Sequence, residues 1–342
     1  MAPHLCDQRK AVEGSGMDGP DSKSHDVYKV NSLTLSTDSN AVDGHVRWDP
    51  CRSLWNGGIL VSALVLGPMT FTWGAFAVFL VVLAIIMCAG HSVGFHRLLI
   101  HRTFECPRWL ERTLVWLGVL FGMQGPFWMM RTHDFRDWAQ RQPNCHAYLR
   151  HGHGLLHDGW WNLHCRLVLA DPPDFDPDGG LANDRFYRFL QRTWMAQQIP
   201  LAAVLFLLGG LPWVVWGVVV RIAVGVHSHW YVGYLCHTRG TQDWLVDDGV
   251  IQAYNVTWAA IPSMGECWHN NHHAFPASAR HGLYAGQPDP GYRFVELLQK
   301  VGLVWNVRVA EDLPARTGIT AITHQAQRTL AAQSANGARA VA

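Results

Sequence analysis

"SLWNGGILVSALVLGPMTFTWGAFAVFLVVLAIIMCAGHSVGFH", Ser53 to His96, holds no Asp, Glu, Lys or Arg. A helix needs ~20 predominantly apolar residues to cross ~30 Å of hydrocarbon, and this run, bounded by Arg52 and Arg97, has 44. The turn-forming "GPMT" (Gly67 to Thr70) divides it, which predicts a helical hairpin at roughly 53–67 and 71–92. A second block repeats the design: 193–220 carries no formal charge, Arg221 interrupts, 222–238 is again uncharged, and "GGLP" (Gly209 to Pro212) supplies the break. The pattern predicts four membrane spans. Core helices of a soluble protein are the alternative, and two charge-free blocks with central breakers argue against it.

The rest of the chain fits a membrane protein. Of its 342 residues only 15% are charged, with a net charge of +1, against roughly 25% charged in soluble domains; no nucleic-acid footprint is indicated. A polar segment precedes the first apolar run, so a cleaved signal peptide is not expected. The hairpin tips lack Lys and Arg, whereas Arg47, Arg52, Arg97, Arg102, Arg131, Arg136 and Arg141 flank the other ends. Basic residues concentrate on the cytoplasmic side, which places both termini and every histidine-rich segment there. Eight scattered cysteines form no CxxC pair and read as reduced packing residues.

Three regions are expected: a disordered N-terminal tail over 1–46, too polar to offset chain entropy, an all-α membrane domain over 47–315, and a low-complexity C-terminal tail over 316–342. "WLERTLVWLGVLFGMQGPFWMM" (Trp109 to Met130) is broken by Gly and Pro and reads as an interfacial or re-entrant helix. "DPPDFDPDGG" (Asp171 to Gly180) reads as a loop. Neither tail is patterned as a haem or flavin module.

Histidines gather where the spans leave the membrane. His96 and His101 follow the second span, His133 the interfacial segment and His237 the fourth span, and then come His269, His272 and His273 beside Glu266. His269 and His273, four apart, share a helical face. His96 and His101 are five apart, a rotation of ~140° on an α-helix, so they face one site only where the helix ends or distorts. Seven imidazoles exceed the three or four ligands of one zinc ion, and imidazole suits Zn, Cu, Fe and Ni; two metal ions are the economical reading. No HExxH occurs, which excludes a zincin-type protease.

These residues carry a resemblance. "GFHRLLIHR" (Gly94 to Arg102), an HxxxxH, and "GECWHNNHHAFP" (Gly265 to Pro276), an HxxHH, resemble the first and third histidine boxes of the integral-membrane fatty acyl desaturases, in particular the stearoyl-CoA desaturase-like group. "LCHTRG" (Leu235 to Gly240) resembles that group's extra histidine. The resemblance covers roughly 48–305. It implies four transmembrane helices in two hairpins, a cytoplasmic helical cap, and two irons held by His96, His101, His133, His237, His269, His272 and His273. It further implies O2 as co-substrate, a separate cytochrome b5 or ferredoxin-type donor with its reductase, and a double bond introduced into an acyl chain carried by CoA, acyl carrier protein or lipid.

The second box departs from the HxxHH pattern. It reads "HDFRD": His133 is kept, while Arg136 and Asp137 replace the paired histidines. Arginine has no lone pair for a metal; a carboxylate does, so Asp137 is a candidate additional ligand. Gly233 stands where the group has an asparagine, and His229, one turn from it, is a second candidate. Asp134, Arg136 and Glu266 are expected to support the ligands, as neighbouring carboxylates commonly fix ligand tautomers. His146, His151, His153, His157 and His164 crowd the following loop at irregular spacing and read as a solvated cap. A related hydroxylase or oxygenase, or a non-catalytic lipid-binding relative, remains the alternative to desaturation.

Overall fold

The computed structural model describes residues 32–341 apart from 178 and 248. It opens with two short strands, β1 (Leu33–Thr34) and β2 (Gly44–Trp48). β1 and the first three residues of β2 fall in the 1–46 segment expected to be disordered, whose first 31 residues lie outside the described ones. Val46, with Leu33 and Ala41, packs against Trp138, Tyr148 and Leu149, and that apolar seam orders a polar stretch.

Asp49 accepts the Arg52 N–H and Pro50 occupies the first turn, so α1 (Pro50–Met69) starts where a capping carboxylate and a preset φ coincide. Thr72 likewise caps α2 (Trp73–Ile85), which runs on unbroken into a π-helical segment, Ile86–Ile100. Together, Trp73–Ile100 is long and apolar enough to cross a membrane.

Next comes α3 (Arg108–Leu120), pressed onto the π-helical segment at Gly90 and Gly94. A Cβ on Gly94 would stand 2.3 Å from the Leu114 carbonyl oxygen, and one on Gly90 2.5 Å from the Leu117 backbone; only glycine permits this approach. α4 (Pro126–Gln140) follows a break at 121–125. The stretch expected as one interfacial helix is therefore two helices, because its Gly and Pro residues end one and start the other.

α5 (Leu155–His164) leads into β3 (Cys165–Leu169), which pairs antiparallel with β2, Gly44 opposite Leu169 and Trp48 opposite Cys165. The 171–180 loop contributes β4 (Asp174–Phe175), paired with β1, before the short α6 (Gly179–Ala182) and α7 (Arg185–Thr193).

Gln198–Thr238 is the second stretch long and apolar enough to span. It comprises α8 (Gln198–Val214), a π-helical turn (Val215–Val220) and α9 (Arg221–Thr238). It is not straight: Gly210, at φ 67° and ψ −161°, reverses the chain, a backbone state open to glycine. Arg221 Nη2 donates to Gln198 Oε1 at 2.7 Å across the reversal, so the arms on either side of Gly210 run antiparallel, as the "GGLP" break predicts. The buried Arg221 guanidinium is satisfied by that amide and the Gly217 and Leu120 carbonyls.

After α9 the chain forms β5 (Trp244–Val246), α10 (His269–Ala274), α11 (Pro290–Lys300), β6 (Ile319–Ala321) and α12 (His324–Val341). The expected low-complexity tail supplies β6, which pairs with β5, and α12, where Ala326 is buried against Trp244, Phe275 and Leu313. Cys88, Cys106, Cys145, Cys165, Cys236 and Cys267 are free thiols.

Candidate metal centre

The π-helical segment explains how His96 and His101 meet. His101 N–H donates to the His96 carbonyl, and in i→i+5 winding residues five apart lie nearly one above the other. Their ring centroids are 4.8 Å apart. α4 brings His133 to 4.8 Å from His101, and α10 brings His272 to 4.5 Å from His96. One nitrogen from each of these four rings falls within 4.8 Å of the others.

A second group forms beside the first. His237 ends α9, while His269 and His273, one turn apart on α10, face it with their Nε2 atoms 3.1 Å apart. His272, between them in sequence, points to the first group. The single stretch from 265 to 276 thus feeds both groups. Asp137 Oδ1 lies 4.0 Å from His273 Nε2.

The donor chemistry suits cations. His101 Nε2 and both nitrogens of His272 are buried without a hydrogen-bond partner among the described residues. A buried polar atom left unpaired costs about 1–3 kcal/mol; several converging on one point are the mark of an ion's seat. Burial holds the pKa of His101, His269, His272 and His273 well below the usual imidazole value, which keeps each ring neutral with a lone pair to offer. His133 is the exception: burial opposes its charged form, yet Asp137 and Asp134 raise its pKa. Burial also opposes ionisation of Asp137, but His133 and Arg141 outweigh it and lower its pKa, so it stands ready as an anion.

Three expected supporting residues take different places. Asp134 Oδ1 is 3.1 Å from His133 Nδ1, and Glu266 faces His96 Nδ1. Arg97 ties Glu266 to Asp289 and to the buried His281. Arg136 instead bonds neither group; it donates to His151 Nε2 at 3.2 Å and Asn162 Oδ1 at 2.7 Å. His229 joins neither group; its ring meets His91 at 4.4 Å and Phe121 at 5.8 Å. A helix face shared with His237 over two turns does not carry both rings to one depth.

Two histidines escaped the sequence reading. His281 makes a third set with His96 and Glu266 but lies beyond the histidine-rich window with no spacing to flag it. His151, assigned to a solvated loop, is buried: Asp158 holds its Nδ1 at 2.9 Å, and its ring stacks 5.1 Å from His237. The other loop histidines do sit apart, His153 and His157 on Trp161 and His164 on Trp160.

Both groups open on one cavity of about 300 Å³. Its wall joins His96, His133, Asp137, His237 and His269 to an apolar lining that includes Met87, Phe95, Met123, Leu163 and Val226.

Comparison with known proteins agrees. The family described as "Fatty acid desaturase" matches residues 71–288. An sn-1 stearoyl-lipid 9-desaturase of Anabaena variabilis is 39% identical over 82% of this chain and 99% of its own length. An acyl-CoA 5-desaturase of Anemone leveillei is 35% identical over 76% of this chain and 79% of its own. A chloroplastic palmitoyl-monogalactosyldiacylglycerol delta-7 desaturase of Arabidopsis thaliana is 33% identical over 72% and 66% respectively.

Proposed function

The chain belongs to the fatty acid desaturase family, and from that premise we propose that it is a membrane desaturase whose two histidine groups hold two iron ions. The observation that carries this reading is the gathering of seven imidazoles into two groups, the first with unpaired buried nitrogens, each of which reaches the wall of one cavity with a largely apolar lining. His96, His101, His133 and His272 would hold one ion; His237, His269 and His273, with Asp137, the other.

Bound there, iron with O2 and electrons from a separate cytochrome b5 or ferredoxin-type protein and its reductase would supply the oxidising power that an unactivated methylene demands and no side chain has. The protein's own groups do the rest. Asp134 and Glu266 fix the Nδ1 atoms of His133 and His96, leaving the opposite nitrogens to face inward. The apolar wall excludes water and holds the chain in register, each buried CH₂ contributing ~0.8 kcal/mol. Removing two hydrogens from adjacent carbons of a chain so held leaves a double bond.

The same reading places the protein in a membrane as two hairpins, α1 with α2 and the two arms about Gly210. Exposed Leu64, Met69, Trp73, Leu207 and Leu208 on these helices support it, since a surface of that size is stable only when covered. The cap, the termini and both histidine groups would face the cytoplasm, where the arginine bias puts them.

The test is iron content and product mass for the full chain purified in detergent and given saturated acyl substrates with a reduced donor. Two irons and a product lighter by two hydrogens are expected. A product heavier by one oxygen would make it a hydroxylase, and less than one iron with acyl binding retained would make it a non-catalytic lipid binder.

A further inference from the structure

Away from the histidine groups, the cavity wall carries two guanidinium groups, Arg52 on α1 and Arg136 on α4. We propose that they form an oxyanion site that takes a carboxylate or phosphate borne by the acyl substrate, in preference to a neutral ester. This inference rests on the acyl-chain reading above.

Three observations support it. First, both guanidinium groups are partnered only by neutral atoms. Arg52 Nη1 donates to the Tyr148 hydroxyl at 3.3 Å and to the Asn162 and Cys165 carbonyls at 3.4 and 2.8 Å. Arg136 donates to His151 Nε2 and the Asn162 side-chain oxygen. Among the described residues neither forms an ion pair. A charge taken from water without a counterion is costly, and arginine cannot escape by losing its proton.

Second, the nearest carboxylates are engaged elsewhere. Asp158 is tied to His151, Asn162 and Trp230 and forms no ion pair with Arg136 among the described residues. Asp137 turns to Arg141, at 3.6 Å, and to His273.

Third, donors remain. All of Arg52's side-chain hydrogen bonds among the described residues leave from Nη1, so Nη2 and Nε are open to the two oxygens of a carboxylate or phosphate, the bidentate pairing that suits a guanidinium. Tyr148 and Asn162 line the same stretch of cavity and hold Arg52 in place.

Equilibrium binding tests this without turnover. The full chain in neutral detergent is loaded with a fluorescent fatty acid, which is then displaced by stearic acid, methyl stearate or stearoyl lysophosphatidic acid. An oxyanion ligand is expected to displace the probe at about tenfold lower concentration than the ester, the size of one charge-assisted hydrogen bond. Arg136→Gln and Arg52→Gln should erase that preference, and Arg136→Lys should keep most of it. Preference for stearic acid alone assigns the site to a carboxylate, and for the lysophosphatidate alone to a phosphate. Equal displacement by ester and acid in the unaltered chain overturns the proposal, as does a preference that survives both glutamine variants. A chain that oxidises methyl stearate as well as stearate loses this site and keeps the desaturase reading; one that prefers the acid but oxidises neither loses the desaturase reading alone.

Discussion

On the side of the first histidine group, His101 Nε2 and both nitrogens of His272 are buried with nothing to bond among the described residues. On the other, His237 is engaged at both nitrogens, Nδ1 with the Gly233 carbonyl at 2.8 Å and Nε2 with Gln140 at 3.1 Å, while His269 and His273 pair with each other. The first group keeps three nitrogens without a partner among the described residues, which a cation would satisfy. The second has closed its own valences and includes a carboxylate where its family resemblance calls for imidazole. Two seats that read alike as counts of histidine therefore differ in the alternative each has to its metal, and binding strength depends on that alternative. The first ion is expected to be held tightly and the second to exchange more freely.

Removing His272 should break the comparison most severely. His272→Ala takes a ligand from the first group, so activity is expected to fall by at least about a hundredfold, with iron in the purified protein dropping below one equivalent per seat. Retention of both irons would take His272 out of the site. Asp137→Asn keeps the shape and deletes the charge. It should weaken the second iron by about ten- to a hundredfold and leave the first unchanged, a difference read by chelator titration. Equal weakening of both ions would erase the distinction between the seats.

Acidity gives the smallest effect. His101, His269, His272, His273 and His281 have folded pKa values lowered by burial from 6.5. Below about pH 6.5 the unfolded chain binds protons that these folded rings refuse, so stability falls as pH drops. Among the described histidines with a shifted pKa, only His133, raised by Asp137 and Asp134, opposes the trend. Metal-stripped protein should melt at a constant temperature above pH 7 and a few degrees lower by pH 5.5, consistent with ~1 kcal/mol shifting a large domain by ~2–4 °C. A melting temperature that is flat across this range would show the rings to be hydrated rather than buried.

Much of the architecture could be read from the charge-free runs, because hydrocarbon imposes both length and composition. The reversal at "GGLP" was equally plain, since Gly210 adopts a backbone state that few other residues share. Less visible were features set by hydrogen-bond register or tertiary contact. Nothing in "IMCAGHSVGFHRLLI" announces i→i+5 winding, although the five-residue spacing of His96 and His101 required some distortion. β2 hides in a polar segment because its stabilising partner is 120 residues away in β3. His281 and His151 owe their burial to neighbours distant in the chain, whereas His229 kept its spacing and lost its depth.

The π-helical segment has a consequence for how this chain can change over time. Because its wide winding stacks His96 over His101, deleting or inserting one residue among Arg97, Leu98, Leu99 and Ile100 would swing one imidazole by roughly a quarter turn relative to the other. Substitutions in that interval are open to drift wherever packing permits, but its length is frozen.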